Sequence, residues 1–111
     1  MTEIKTPAEF FEIVLPARFK PEKAAGIDVI VQLTLNNGKN EQNWVVTIKN
    51  QKLYVDQGTN PSASLSLNLS ENDFMNMING SLSAEKAFFT GKIRFQGNIA
   101  LALKLRDAGI L

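Results

Sequence analysis

The pair Gly91-Lys92 is the part of the sequence that comes closest to a phosphate-binding loop. Such a loop requires a glycine five residues before its final glycine, and a serine or threonine after the lysine. Those two places hold Lys86 and Ile93. The spacing therefore argues against a phosphate loop, and we interpret Gly91 as marking the boundary of a strand.

The carboxylates form no evident acid–base pair. Glu71 and Asp73 fall in the first turn of a predicted helix, where acidic side chains interact with the helix dipole. Glu9 and Glu12 are three residues apart on another predicted helix, on its solvent side. Asp28 lies within an apolar run, but the alternation of that run places it on the opposite face. None of them has the buried setting that a general acid needs.

The chain contains no His and no Cys. These absences remove the imidazole base, the Ser-His-Asp triad, the thiolate nucleophile and the Cys-based zinc site. We therefore predict a protein that is not an enzyme and that holds no metal and no cofactor. Because 12 Lys and Arg residues face 11 Asp and Glu residues, the net charge of +1 also gives no electrostatic reason to expect a nucleic-acid partner.

The length of 111 residues and the hydrophobic content of 44% fit a single domain over residues 1–111. The start, Met1 to Lys5, does not lead into the apolar stretch of a secretion signal. No segment approaches the roughly 20 apolar residues of a membrane span. We therefore expect a cytoplasmic location.

The segment after Thr6 predicts a helix. Thr6 can cap it, Pro7 suits its first position, and Glu9 completes a capping box. Apolar residues follow at helical spacing: Phe10, Phe11, Val14 and Leu15. We expect Pro16 to end or kink this helix, because the residue before a proline is disfavoured in helical geometry.

Alternating apolar and polar residues predict four strands in the middle of the chain. These strands cover residues 27–35, 44–49, 52–57 and 64–69. A polar loop containing Asn37-Gly38 separates the first two, and a short turn at Asn50-Gln51 follows the second. We expect the consecutive strands to form a meander with one face toward solvent.

The second half of the chain adds two helices, a fifth strand and a last helix. Ser70 caps the first of these helices and Ser83 begins the second. Alternation returns over 91–97, and Asn98 can cap a last helix that ends near Gly109. The order of elements predicts an α+β fold: a five-stranded, largely antiparallel sheet with helices packed on one face.

Seven of the nine aromatic residues are Phe. Because Phe carries no polar group, such a set suits either a dry core or an apolar ligand pocket. Composition does not separate the two.

Basic residues are concentrated near the end of the chain. Five of them lie between Lys86 and Arg106, with no acidic residue between those two positions. They are either a weak cationic patch for lipid headgroups and carboxylate ligands, or the solvent side of a strand and of helix ends.

A series of short motifs runs in order through the second half of the chain. It begins with the strand-then-helix segment from Ser64 to Phe74, and it continues with Gly80, Ala87-Phe88, Gly91-Lys92-Ile93, Gly97-Asn98, Ala102 and Lys104-Leu105. This series resembles the sterol carrier protein type 2 family. The upstream segment from Phe19 to Gly26, with the strand after it, resembles the small prokaryotic members of that family.

The resemblance implies an apolar tunnel between the sheet and the helices, which takes fatty acids, fatty acyl-coenzyme A, sterols or other lipids. The predicted lining residues are Phe10, Val14, Leu33, Trp44, Val46, Phe74, Met77, Ile78, Phe88, Phe89, Phe95, Ile99 and Leu103. The predicted headgroup contacts are Lys92, Arg94 and Lys104. Thr90 stands where many relatives carry Gln, and Phe89 stands where Met is frequent, which would narrow the cavity.

The function expected from this resemblance is non-catalytic lipid binding and transfer inside the cell. The expected partners are a lipid or fatty-acyl ligand and a transient membrane surface, with the chain acting as a monomer or a weak homodimer. The alternative is an accessory module of the same fold, used for dimerisation or protein interaction, in which the cavity is filled or vestigial.

Overall fold

The computed structural model describes residues 3–107. The helical segments are α1 (Pro7–Glu9), a π-helical segment (Phe10–Val14), α2 (Leu15–Arg18), a 3-10 turn (Pro21–Lys23), α3 (Glu71–Ile78), α4 (Ala84–Phe89) and α5 (Ile99–Asp107). The strands are β1 (Val29–Asn36), β2 (Glu41–Lys49), β3 (Lys52–Gln57), β4 (Leu65–Ser70) and β5 (Arg94–Gly97). The predicted order of elements is confirmed, while the predicted end of the last helix near Gly109 lies outside the described residues.

The segments α1 to α2 form one helical stretch over residues 7–18, which we call the N-terminal helix. Thr6 caps it as predicted, since its Oγ1 accepts a hydrogen bond from the amide of Glu9 at 3.1 Å. The Glu9 carboxylate accepts in return from the amide of Lys5 at 3.3 Å. That return bond is shifted by one residue from a standard capping box, in which the cap residue itself donates.

The expectation that Pro16 displaces Leu15 from helical geometry is wrong. Leu15 has φ −61° and ψ −48°, and the helix continues to Arg18. The segment before the proline is π-helical, so the amide of Leu15 bonds to the carbonyl of Phe10, five residues earlier. The wider turn leaves room for the proline ring, which would clash with a carbonyl of the preceding turn in a regular helix.

The strands β1, β2 and β3 form an antiparallel meander, as predicted. Asn50 and Gln51 connect β2 to β3 with φ values of 53° and 61°, and two successive positive φ angles are typical of a type I′ turn. β2 begins at Glu41, earlier than predicted, so the turn before it covers only residues 37–40.

The expectation that β4 continues the meander is wrong. The sheet order is β3-β2-β1-β4-β5, and β4 runs parallel to β1. Three of the four strand pairings are antiparallel, so the sheet is mixed. Alternation identifies the residues that share a face but not the neighbouring strand, which is why the sequence pattern did not reveal this pairing.

Residues 58–64 carry the chain from β3 to β4 across the sheet face that is turned away from the helices. Gln32 projects from β1 on this face and holds the crossing segment. Its Nε2 donates to the carbonyl of Gly58 at 3.1 Å and to that of Trp44 at 3.3 Å, while its Oε1 accepts from the amide of Asn60 at 2.8 Å. One side chain thus fixes the path that brings β4 beside β1.

The other face of the sheet packs against the helices. The buried apolar cluster there consists of Phe11, Leu15, Ala24, Val29, Val31, Leu33, Leu35, Trp44, Val46, Ile48, Leu65, Leu69, Phe74 and Leu105. Phe11 comes from the N-terminal helix and Leu105 from α5, so helices from both ends of the chain contribute. Helices on one face of a five-stranded sheet confirm the predicted α+β class.

The strand β5 is shorter than the predicted 91–97, because the chain first turns back on α4. The amide of Lys92 donates to the carbonyl of Ala87 at 2.9 Å, and the strand starts two residues later. Gly97 ends β5 with φ 119°, and a side chain there would collide with the backbone oxygen of Ser64. The glycine is therefore required where β5 meets the start of β4.

We expect the Gln32→Ala variant to lose about 1–3 kcal/mol in free energy of unfolding, because it leaves partners in the crossing segment without hydrogen bonds. Denaturant unfolding followed by circular dichroism measures this. Gln96→Ala is the matched control, since Gln96 is exposed on β5 and has no side-chain hydrogen bond within residues 3–107; it should change stability by less than about 0.5 kcal/mol. Equal effects of the two substitutions would contradict the role given to Gln32.

Candidate functional site

A stack of aromatic rings fills one half of the space between sheet and helices. Phe11 from the N-terminal helix lies between Trp44 of β2, with ring centroids 4.7 Å apart, and Phe74 of α3, at 5.3 Å. Phe10 meets Phe11 and Phe74 edge-on, at 5.3 and 5.6 Å. Phe11 and Trp44 are each 1% exposed, so this half of the layer is closed.

A polar link joins the same elements beside the stack. The indole N–H of Trp44 donates to Oε1 of Gln42 at 3.2 Å, and Nε2 of Gln42 donates to Oε1 of Glu71 at 3.0 Å. Because Glu71 is the first residue of α3, the link ties the start of that helix to β2. Glu71 therefore has a structural partner, in keeping with its placement in a first helical turn.

The predicted lining residues fall into three groups by exposure. Four are buried in the apolar cluster: Leu33, Trp44, Val46 and Phe74. Five are partly buried: Phe10, Val14, Met77, Ile78 and Phe95. Four are exposed: Phe88 at 42%, Phe89 at 82%, Ile99 at 54% and Leu103 at 46%.

The exposed group comes from α4 and α5, which lie on the helix side of β4 and β5. Phe88 of α4 meets the ring of Phe95 on β5 at 6.2 Å, and α5 packs on β4 and buries Leu105. We call Phe88, Phe95, Ile99 and Leu103 the open apolar edge. Phe88 and Phe95 contact each other there, and the four side chains lack the closed packing of the aromatic stack.

The helix α5 carries apolar residues on two faces. Leu101 and Leu105, four residues apart, face the core, whereas Ile99 and Leu103, also four apart, are exposed. The sequence reading assigned Ile99 and Leu103 to the inward face and missed Leu101. The spacing of Leu101 and Leu105 was a usable signal, but two equal stripes do not show which one packs on the sheet.

The predicted headgroup cations do not converge on one site. Lys92 Nζ lies 3.6 Å from a carboxylate oxygen of Asp73 on α3. Arg94 lies opposite Asn68 on the sheet face away from the helices. The predicted strand over 91–97 contained both Lys92 and Arg94, which is wrong because β5 starts at Arg94. Lys104 is exposed on α5, next to Leu103. Lys104 is the predicted headgroup cation that lies beside the open apolar edge.

A separate surface cleft of about 400 Å³ lies at the start of α3. Its lining residues are Asn36, Asn37, Gly38, Ser70, Glu71, Asn72 and Met75. Five of these seven residues carry an amide, hydroxyl or carboxylate group, and none of the seven is a predicted lining residue. The cleft therefore lies apart from the predicted lipid site.

The described part of the chain, residues 3–107, shows no buried polar or charged side chain. Within the same residues there is no group of three or more acidic side chains placed to hold a metal ion. None of the helices described is long and apolar enough to cross a membrane.

Comparison with known proteins places these features in a family. The sequence profile of the SCP-2 sterol transfer family matches residues 14–108. "Sterol carrier protein 2" of Homo sapiens is 34% identical over 70 residues, which are 63% of this chain and 13% of that protein. The chain therefore spans about an eighth of the length of this curated relative.

Two solved structures share the fold. The palmitated SCP2L2 of Aedes aegypti has a TM-score of 0.73 and 26% identity, and the match covers 93% of both chains. The sec-alkylsulfatase Pisa1 of Pseudomonas sp. has a TM-score of 0.77 and 26% identity, over 96% of this chain and 16% of that enzyme. The fold therefore occurs both as a nearly whole chain and as a small part of a larger one.

The closed stack and the exposed side chain of Phe89 on α4 predict very different losses in free energy of unfolding for two Phe→Ala substitutions. Phe11→Ala should lower the free energy of unfolding by about 3–5 kcal/mol, because it opens a cavity in a closed stack. Phe89→Ala should change it by less than about 0.5 kcal/mol, because 82% of that side chain is already exposed. Denaturant unfolding measures both, and similar losses for the two variants would contradict the asymmetry.

Proposed function

The chain belongs to the SCP-2 sterol transfer family, and on that basis we propose that it binds one apolar lipid and carries it in the cytoplasm without changing it chemically. We place the ligand on the side of β4 and β5, against Phe88 and the exposed face of α5 that carries Ile99 and Leu103. The open apolar edge is the observation that supports this placement: Phe88, Ile99 and Leu103 are each between 42% and 54% exposed, and Phe88 contacts the partly buried Phe95.

The driving force is removal of apolar surface from water. Each CH₂ group transferred contributes about 0.8 kcal/mol, so a chain of about 16 carbons gains roughly 12 kcal/mol before the costs of ordering and immobilisation. The exposed faces of Ile99 and Leu103 gain from the same contact. A ligand would thus complete the packing that these residues lack in the free protein.

We propose a fatty-acyl chain, as a free acid or a coenzyme A ester, as the main ligand class. The structural neighbour from Aedes aegypti is described as palmitated, which supports an acyl chain in this fold. Lys104 lies next to Leu103 on α5 and is the cation available for a carboxylate or phosphate at the edge. Lys92 is a weaker candidate, because Asp73 already lies 3.6 Å from its Nζ.

The proposal of a carrier rather than an enzyme is based on the side chains around the open apolar edge. They are aliphatic and aromatic, with Lys104 at the rim, and such groups offer no nucleophile or acid–base pair. Reversible burial of a lipid needs neither. A sterol-like ligand remains compatible with the same apolar contacts.

A second candidate function is an accessory module. The closed stack of Phe11, Trp44 and Phe74 favours it, because these residues already fill the space between the N-terminal helix, β2 and α3. The match to a small part of a Pseudomonas alkylsulfatase agrees with such a use. Light scattering over a range of concentrations tests it: a stable homodimer whose formation is unaffected by fatty acid supports the module and contradicts the carrier.

Displacement of a fluorescent fatty acid by palmitate tests the carrier function. We expect palmitate to displace the fluorescent fatty acid from the unmodified protein in a saturable manner, at micromolar concentrations. Leu103→Gln should weaken palmitate binding at least about tenfold, because it replaces an apolar contact by an amide that the acyl chain leaves without a hydrogen bond. Leu and Gln are similar helix formers, so α5 should remain folded.

Tyr54→Gln is the matched control, since Tyr54 is 49% exposed on the face of β3 opposite to Leu53 and Val55, which pack on the core. The affinity of this variant for palmitate should equal that of the unmodified protein. If palmitate does not displace the fluorescent fatty acid from the unmodified protein, the carrier function is ruled out. Equal weakening by both variants would place the ligand elsewhere.

A further inference from the structure

The charge of the chain is unevenly distributed. Residues 84–105 contain four basic side chains, Lys86, Lys92, Arg94 and Lys104, against the single acid Glu85, which gives a formal charge of +3. The rest of the chain carries eight basic and ten acidic side chains, a formal charge of −2. The part of the protein that contains the open apolar edge is therefore the basic part.

The same segment presents the most exposed large apolar side chain among the described residues. Phe89 is 82% exposed, and its ring touches that of Phe88 edge-on at 5.9 Å. Phe88 in turn contacts Phe95 of β5. The two rings form a continuous apolar wedge that is based on the sheet and ends in solvent.

The backbone that carries this wedge is well fixed. Ala87 of α4 is fully buried, and Thr90 closes the end of the helix with its hydroxyl donating to the carbonyl of Lys86 at 2.7 Å. The amide of Gly91 donates to the carbonyl of Phe88 at 3.2 Å. These bonds satisfy the carbonyls of Lys86 and Phe88 near the end of α4, which lowers the cost of bringing the tip of the helix into an apolar medium.

Cationic side chains flank the wedge. Lys86 precedes Phe89 by three residues, which places it on a neighbouring part of the helix surface. Lys92 follows the helix end and is 45% exposed, and its pairing with Asp73 is a surface ion pair of the weak kind. Aromatic side chains between lysines are the pattern of segments that lie in the interface of anionic bilayers.

We propose that the tip of α4, formed by Phe88, Phe89, Lys86 and Lys92, docks the protein on an anionic lipid bilayer. Phe89 and part of Phe88 enter the acyl boundary, and the lysines contact phosphate groups. This inference rests on the proposed carrier function, because docking at α4 places the open apolar edge next to the membrane, where a lipid can enter it.

Co-sedimentation with vesicles tests the docking. The unmodified protein should bind vesicles of phosphatidylcholine mixed with phosphatidylserine more tightly than vesicles of phosphatidylcholine alone, and high salt should reduce the difference. Phe89→Ser should weaken binding to the mixed vesicles about tenfold or more. Lys86→Gln should weaken it less and should lower its salt dependence.

Ile13→Ser is the matched control, because Ile13 is another large exposed side chain, at 66%, on the N-terminal helix. Its binding to the mixed vesicles should equal that of the unmodified protein. Loss of binding in Ile13→Ser with retention in Phe89→Ser would move the docking surface to the N-terminal helix and overturn the proposal. Equal binding to both vesicle types would overturn it as well.

Displacement of the fluorescent fatty acid from the unmodified protein by palmitate, in buffer without vesicles, separates this inference from the proposed function. If the displacement is saturable but vesicle binding does not depend on Phe89, only the docking is contradicted. If vesicle binding depends on Phe89 but palmitate displaces no fluorescent fatty acid, only the carrier function is contradicted.

Discussion

The stacking of Phe11 between Trp44 and Phe74 is the contact on which the arrangement of this protein depends. It joins the N-terminal helix, β2 and α3, three elements far apart in the chain. The stack requires α3 to start near β2, and this follows from the position of β4 beside β1, which the hydrogen bonds of Gln32 to the crossing segment secure. A π-helical turn before Pro16 keeps the helix that carries Phe11 continuous.

The half of the molecule formed by β4, β5, α4 and α5 has no comparable stack. In α4 the buried side chain is a small one, Ala87, and α5 divides its apolar residues between an inner and an outer face. Apolar surface is left exposed there. Residues 84–105, which contain α4 and β5, also carry a net positive charge. One half of the fold is thus stabilised by its own packing, and we propose that the other gains packing from a lipid and a lipid surface.

Local features were predictable from the sequence because their causes lie within a few residues. The caps at Thr6, Ser70 and Ser83 and the strand β3 were all predicted correctly. The position of β4 beside β1 was not, since it depends on a side chain of β1 bonding to a segment 26 to 28 residues later. Within the site, the sequence identified Phe88, Ile99 and Leu103 as apolar, but their exposure follows from how α4 and α5 meet the sheet, which periodicity does not encode.

Titration of ¹⁵N-labelled protein with palmitate, followed by NMR, tests the central claim most directly. A lipid bound at the open apolar edge should shift the amide signals of α4, β5 and α5 and leave those of β3, at the far edge of the sheet, unchanged. The account predicts saturable shifts centred on Phe88, Phe95, Ile99 and Leu103. Saturable shifts confined to the N-terminal helix, or no shifts at all, would contradict it.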